Sequence, residues 1–177
     1  MIRASRRTLL AGALAVPTLS GLAAWRWRHG DGRVLLHDDD LEVGRRFAAA
    51  GREQGLPSLA ITGDRVRFTR DLLKAKPAMI AGVSRYADML LIADIAREHG
   101  YMLAAEIEGR GRSCSGAKCR PGWNALARLG RSAGANWPEA LAAYAADPRG
   151  SAPQFASSPA ARPDSGLVLG WVLAARV

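Results

Sequence analysis

Polar residues that could carry chemistry stand at the ends of short apolar segments, and the most suggestive run is 37–40. It joins His37 to three consecutive carboxylates. Carboxylates at a strand end can hold Mg²⁺ or another hard cation, and a neighbouring histidine can act as base or ligand. We therefore take His37, Asp38 and Asp40 as candidate catalytic residues, with Asp38 and Asp40 as candidate metal ligands. The alternative is that Asp38 to Asp40 cap the following helix, with Asp39 or Asp40 as its N-cap residue, and stabilise its positive end.

The segment 36–40, Leu-His-Asp-Asp-Asp, also resembles the Asp-x-Asp motif of haloacid-dehalogenase-type phosphatases. The resemblance implies that Asp38 is a nucleophile, that Asp40 is a general acid, and that Thr62 supplies the hydroxyl at the end of the next motif strand. The family's lysine and its terminal pair of aspartates have no clear counterpart. The nearest residues are Lys74, Lys76, Glu106 and Glu108. Metal-assisted phosphoester hydrolysis is thus one functional hypothesis.

A second kind of site, for an anion, is predicted where two further segments end. The run 82–85 combines backbone amides, the Ser84 hydroxyl and the Arg85 guanidinium at the start of a predicted helix, an arrangement that can hold phosphate or carboxylate. A turn followed by a capping serine is the alternative. Because ligands gather at the carboxyl ends of parallel strands, the predicted ligand-binding residues are Gly82, Ser84, Arg85, Thr62 and Asp64.

The N-terminus has the basic region and the short apolar region of a secretory signal. Ser5, Arg6 and Arg7, followed by Leu9 and Leu10, resemble the motif of twin-arginine export signals. The resemblance implies that residues 1–24 are an export signal, that the twin-arginine translocase is a partner, and that the folded protein reaches the periplasm. Small residues at Gly21 and Ala23 predict cleavage after Ala23, whereas an uncleaved signal would anchor the chain in the membrane.

The two cysteines, Cys114 and Cys119, have two interpretations that depend on this export. In an oxidising compartment, a local disulfide is the default expectation. A redox-active pair is the alternative, because the surrounding loop is short and electropositive, which lowers thiol pKa values. Zinc would need further ligands, and the three histidines show no metal-binding spacing. Covalent haem attachment would need a histidine where Arg120 stands.

The formal net charge of +9 is unevenly distributed along the chain. Residues 1–24 contribute +3, residues 25–108 are neutral overall, and residues 109–177 contribute +6. A basic C-terminal third could bind a polyanion, but an Arg-rich solvated surface is the favoured explanation. An exported protein is not expected to bind nucleic acid. The sequence identifies no cofactor.

Strands that alternate with helices must position these residues, so the fold is predicted to be α/β. We expect one small, open, mainly parallel sheet with crossover helices and a C-terminal closing strand, forming a single domain over residues 33–177 after a flexible lead-in at 25–32. The predicted strands are 33–37, 57–62, 78–83, 101–107 and 166–175, and the predicted helices are 41–54, 68–76, 85–99, 123–130 and about 136–146. An irregular basic loop at 109–122 and a Pro- and Ser-rich strap at 151–165 complete the chain.

The leading hypothesis from the sequence is an exported domain that binds a small anionic ligand or a partner protein through its strand-end loops. It is similar to one lobe of a solute-binding protein by analogy of fold alone. The layout also resembles small, uncharacterised twin-arginine-exported α/β proteins with a closing Trp-containing strand, a group that implies no activity. A phosphoester hydrolase and a redox or assembly factor that uses Cys114 and Cys119 are the alternatives.

Overall fold

The computed structural model describes residues 32–108, 133–148 and 166–176, and these form one five-stranded sheet with four α-helices. The predicted alternation of strands and helices is confirmed in this part of the chain. The strands are β1 (Arg33–His37), β2 (Ser58–Ala60), β3 (Met79–Arg85), β4 (Tyr101–Glu108) and β5 (Val168–Ala175). The helices are α1 (Glu42–Glu53), α2 (Arg65–Lys74), α3 (Tyr86–Glu98) and α4 (Trp137–Ala146), the last preceded by a 3₁₀ turn at Gly134–Asn136.

The sheet is mixed, and the prediction of a mainly parallel sheet is not borne out. The strand order is β2-β1-β3-β5-β4. β1 pairs in parallel with β2 and β3, whereas β5 pairs antiparallel with β3 and β4 over longer stretches. The crossover helices give β1 to β4 a common direction, and β5 enters between β3 and β4 from the opposite end. The closing strand is therefore an interior strand of the sheet.

Each face of the sheet is covered by a pair of helices, which produces three layers. Alternate strand side chains point to opposite faces. On one face, α1 and α4 bury a cluster that includes Leu35, Phe47, Ala81, Leu141 and Val172. On the other face, α2 and α3 bury a second cluster that includes Leu36, Ile80, Met89, Ile92 and Leu173. β1, β3 and β5 are covered on both sides, which explains their nearly continuous apolar sequences.

A tryptophan from β5 fixes the centre of the sheet against a glycine of β3. Trp171 lies opposite Gly82 in the antiparallel register and is fully buried. A Cβ atom added to Gly82 would overlap the Trp171 ring. On the other face, Gly170 makes room for Trp137 and Leu141 of α4 in the same way. These two glycines are needed for close approach, since neither has the positive φ that a turn glycine shows.

Several predictions fall on residues outside those that the structure describes. They are the export signal at 1–24, the lead-in up to residue 31, the loop at 109–122 with Cys114 and Cys119, the short helix at 123–130, and the strap at 151–165. In the described part of the chain, no helix is both long enough and apolar enough to cross a membrane.

Candidate functional site

The carboxyl ends of β1, β2 and β3 meet at one edge of the sheet, and the predicted site residues in 37–40, 62–64 and 82–85 lie at or just beyond these ends. β1 lies between its two parallel neighbours, so residues 37–40 stand between 62–64 and 84–85. Glu106 and Glu108 lie in β4, which β5 separates from β3. We call the edge formed by residues 37–40, 58–65 and 84–88 the strand-end edge.

Asp38 and Arg85 form an ion pair at this edge, with the carboxylate buried. Arg85 Nη1 donates to Asp38 Oδ2 over 2.7 Å, and the Asp38 side chain is only 7% exposed. Asp38 Oδ1 accepts from the Asp40 backbone N–H over 3.0 Å, which closes the turn before α1. Asp38 therefore positions Arg85 and shapes this turn, and its carboxylate oxygens both have protein partners.

His37 lies at the centre of a hydrogen-bonded row of three side chains. Its Nε2 lies 2.8 Å from Asp39 Oδ1, and its Nδ1 lies 3.0 Å from Ser58 Oγ. His37 is buried, Ser58 is half-buried, and the Asp39 side chain is 61% exposed. A carboxylate can only accept a hydrogen bond, so the neutral tautomer that satisfies both contacts donates from Nε2 to Asp39 and accepts from the Ser58 hydroxyl at Nδ1. His37 was predicted from the sequence, but its partner Ser58 was not.

Ser58 was missed because a serine at the start of a short strand carries no motif of its own. In the parallel register Ser58 stands opposite Leu35, which shares a sheet face with His37. A polar residue at an inward-facing position of an edge strand, one step from a buried histidine, is the signal that would have identified it. That signal requires the strand register, which is a property of the folded sheet.

The aspartates of 37–40 do not cap α1, so that prediction is wrong. The N-cap residue is Leu41, and no side chain caps this helix. The sequence had placed Asp39 or Asp40 there, but Asp39 turns to His37 and Asp40 is exposed, with its carboxylate 3.9 Å from Arg85 Nη1. The described residues contain no group of three or more His, Cys, Asp or Glu side chains placed to hold a metal ion. The geometry therefore gives the phosphoester hydrolase hypothesis no metal centre in this part of the chain.

The remaining predicted ligand residues divide between structural and exposed positions. Ser84 is buried: its hydroxyl accepts from Trp171 Nε1 over 3.0 Å and donates to the Arg85 carbonyl over 3.1 Å. Ser84 thus does not cap α3, whose N-cap is Arg85. Gly82 is covered by Trp171. Thr62 is exposed, and Asp64 caps α2 by accepting from the backbone N–H groups of Val66 and Arg67, which is why this helix begins at Arg65, earlier than predicted.

The strand-end edge is acidic overall. Its two guanidinium groups are both paired, Arg85 with Asp38 and Arg65 with Asp88 at 3.0 Å. Its carboxylates outnumber these two guanidinium groups and belong to Asp38, Asp39, Asp40, Asp64 and Asp88. An anion that binds here must therefore compete with carboxylates of the protein.

No protein-family model, curated protein or solved structure matches this chain at a significant level.

Proposed function

We propose that this chain is an exported α/β domain that binds a small anionic ligand at the strand-end edge, with Arg85 as the principal contact. The observation that supports it is the Arg85 guanidinium, which is half exposed and is held by the buried carboxylate of Asp38. Export is supported by the twin-arginine pattern at residues 5–7. A single fixed guanidinium favours a small ligand over a partner protein, which would need a broad contact surface.

Arg85 is suited to ligand binding because its position is fixed before a ligand arrives. Its ion-pair contacts with Asp38 and Asp40 are made through Nη1, at 2.7 and 3.9 Å. The side chain is 42% exposed. A guanidinium donates to a carboxylate through two parallel N–H groups, and one that is already ordered loses less conformational entropy on binding.

The neighbouring carboxylates determine which anion fits. Asp38 and Asp40 already lie within 4 Å of Arg85 Nη1, at 2.7 and 3.9 Å. Additional negative charge is repelled, and a dianion is repelled more strongly than a monoanion. The ligand class is therefore a small monocarboxylate rather than a phosphate monoester. Asp40 is the exposed member of the pair, so it is the carboxylate that a ligand would displace.

Titration of the whole chain with acetate, followed by the ¹⁵N and ¹H NMR signals of Arg85 and Tyr86, tests this proposal. We expect saturable shifts with acetate and weaker ones with inorganic phosphate. Arg85→Gln should weaken acetate binding about tenfold or more, because it removes charge-assisted hydrogen bonds worth roughly 1.5–3 kcal/mol. Asp40→Asn should strengthen it, since a competing carboxylate is removed.

Arg97→Gln is the matched control, because Arg97 lies near the other end of α3 and pairs only with exposed Asp94 among the described residues. It should bind acetate as the wild type does. The proposal is overturned by shifts that do not saturate, or by equal acetate binding in Arg85→Gln and wild type.

A further inference from the structure

We infer that Ser58, His37 and Asp39 form a nucleophilic site that hydrolyses small carboxylic esters, an activity separate from ligand binding at Arg85. Three side chains from two strands and a turn are joined in one row by contacts of 3.0 Å and 2.8 Å. A nucleophile within hydrogen-bond reach of a base, which a third group orients, is the arrangement that activates a serine hydroxyl.

The protonation pattern of the row favours proton transfer from Ser58. The Asp39 carboxylate can only accept, so the proton of neutral His37 resides on Nε2. Nδ1 is then the acceptor for the Ser58 hydroxyl. Burial of the imidazole between the sheet and α1 holds it in this orientation. His37 is therefore placed to act as the base and Asp39 to stabilise the imidazolium that forms.

Ser58 also lies where a substrate can reach it. β2 is an edge strand, and Ser58 is its first residue and only half-buried. The Leu35 N–H donates to the Pro57 carbonyl, and the Ile61 N–H donates to the His37 carbonyl. Because alternate residues of a strand direct their backbone groups to opposite sides, the Ser58 and Ala60 N–H groups face away from β1. The Ser58 N–H is placed to donate to the oxyanion of a tetrahedral intermediate, whereas the Ala60 N–H lies too far along the strand to bind the same oxygen.

The reaction balances with water as the only co-reactant. Ser58 Oγ bonds to the ester carbonyl carbon while its proton passes to His37 Nδ1. The carbon–oxygen bond of the ester then breaks, and the alcohol leaves with that proton. Water attacks the acyl-serine and gives a proton to Nδ1, which returns it to Ser58 Oγ as the carboxylic acid departs. Asp39 retains its negative charge throughout.

The first test is covalent labelling of the folded, whole chain with a fluorophosphonate, followed by peptide mass spectrometry. We expect one adduct, located on Ser58. Release of p-nitrophenol from p-nitrophenyl acetate should accompany it, and Ser58→Ala should lose both. Arg97→Gln is the control here as well, because Arg97 lies near the far end of α3 and pairs with exposed Asp94. It should leave labelling and turnover unchanged.

Asp39→Asn provides a second variant that should fold, because the Asp39 side chain is mostly exposed. It should slow acylation at least tenfold, since general-base assistance contributes roughly 10²–10⁴-fold. A purely structural role for this row predicts no adduct on Ser58 in the wild type, and that result overturns the inference. Equal p-nitrophenol release by Ser58→Ala and wild type does so as well. Acetate binding is followed at Arg85 and acylation at Ser58, and Ser58→Ala should bind acetate as the wild type does, so the two proposals fail independently.

Discussion

Trp171 connects the packing at the centre of the sheet to the strand-end edge through its ring and its Nε1–H group. Its ring occupies the space that a side chain at position 82 would need. Its Nε1–H donates to the Ser84 hydroxyl, which in turn donates to the Arg85 carbonyl. Two residues that the sequence suggested as ligand contacts, Gly82 and Ser84, therefore support the backbone from which Arg85 extends.

Gly82→Ala should destabilise the domain by at least about 1–3 kcal/mol, because a methyl group there must displace a buried indole. Urea unfolding, followed by Trp fluorescence, measures the change in the free energy of unfolding. Gly32→Ala is the control: the nearest atom to its added Cβ would be Pro77 Cα at 3.7 Å, which is ordinary contact. We expect that change to remain within about 0.5 kcal/mol, and equal effects of the two substitutions would contradict the packing argument.

At the scale of elements, two arginines, one in β1 and one in α1, bind α4. Arg46 of α1 donates from Nε and Nη2 to the two carboxylate oxygens of Glu139, over 2.7 and 2.8 Å, and from Nη2 to the Ala135 carbonyl. Arg33 of β1 donates to the Ala145 and Ala146 carbonyls at the other end of α4. Both ends of α4 are thus fixed by polar contacts to residues about 90 to 113 positions earlier.

The Arg46–Glu139 pair should contribute more stability than a typical surface pair. Both side chains are less than a third exposed, at 22% and 27%, and the contact is bidentate. A double-mutant cycle with Arg46→Gln and Glu139→Gln should give a coupling free energy of about 1 kcal/mol. In the exposed pair Lys74–Asp71, the hydrogen bond from the lysine ammonium lowers the pKa of the Asp71 carboxyl, but solvent screens the contact, so the same cycle should give a clearly smaller coupling there. Equal coupling free energies in the two pairs would mean that partial burial and bidentate geometry add no stability to the Arg46–Glu139 pair.

Most of the secondary structure could be predicted from the sequence. Hydrophobic period and bounding residues predicted the five strands and four α-helices of the described ranges, with ends shifted by a few residues, although the predicted caps of α1 and α3 were wrong. Short-range signals did not determine the direction of β5 or its neighbours, because an apolar run such as Leu167 to Ala175 suits any interior strand. The site followed the same rule: His37 and Arg85 stand at strand ends that a sequence reveals, whereas Ser58 joins His37 only through the register of β1 and β2.

At the scale of the whole molecule, the sheet depends on its last strand. β5 pairs with β3 over seven residues and also with β4 over seven, and it supplies Trp171 and Val172 to opposite faces of the core. Without β5, the two remaining parts of the sheet have no direct pairing in the strand order. Integrity of the domain therefore depends on contacts distant in sequence, which is typical of slowly folding topologies.

A chain that ends at residue 165 should not fold. We expect it to lose dispersed amide signals in NMR and cooperative unfolding in urea, since a core strand covered on both faces is absent. A chain that begins at residue 25 is the control, and it should retain both properties because it keeps all five strands. A native-like spectrum from the truncated chain would show that the rest of the sheet is stable without β5.

The interior position of β5 also affects the timing of synthesis. β4 leaves the ribosome well before its partner strand, so the edges of β3 and β4 stay open until residues 168–175 have been translated. A chain stalled before residue 168 therefore exposes two strand edges that invite aggregation. If residues 1–24 act as predicted, a translocase that accepts folded cargo would receive this domain only when β5 is in place.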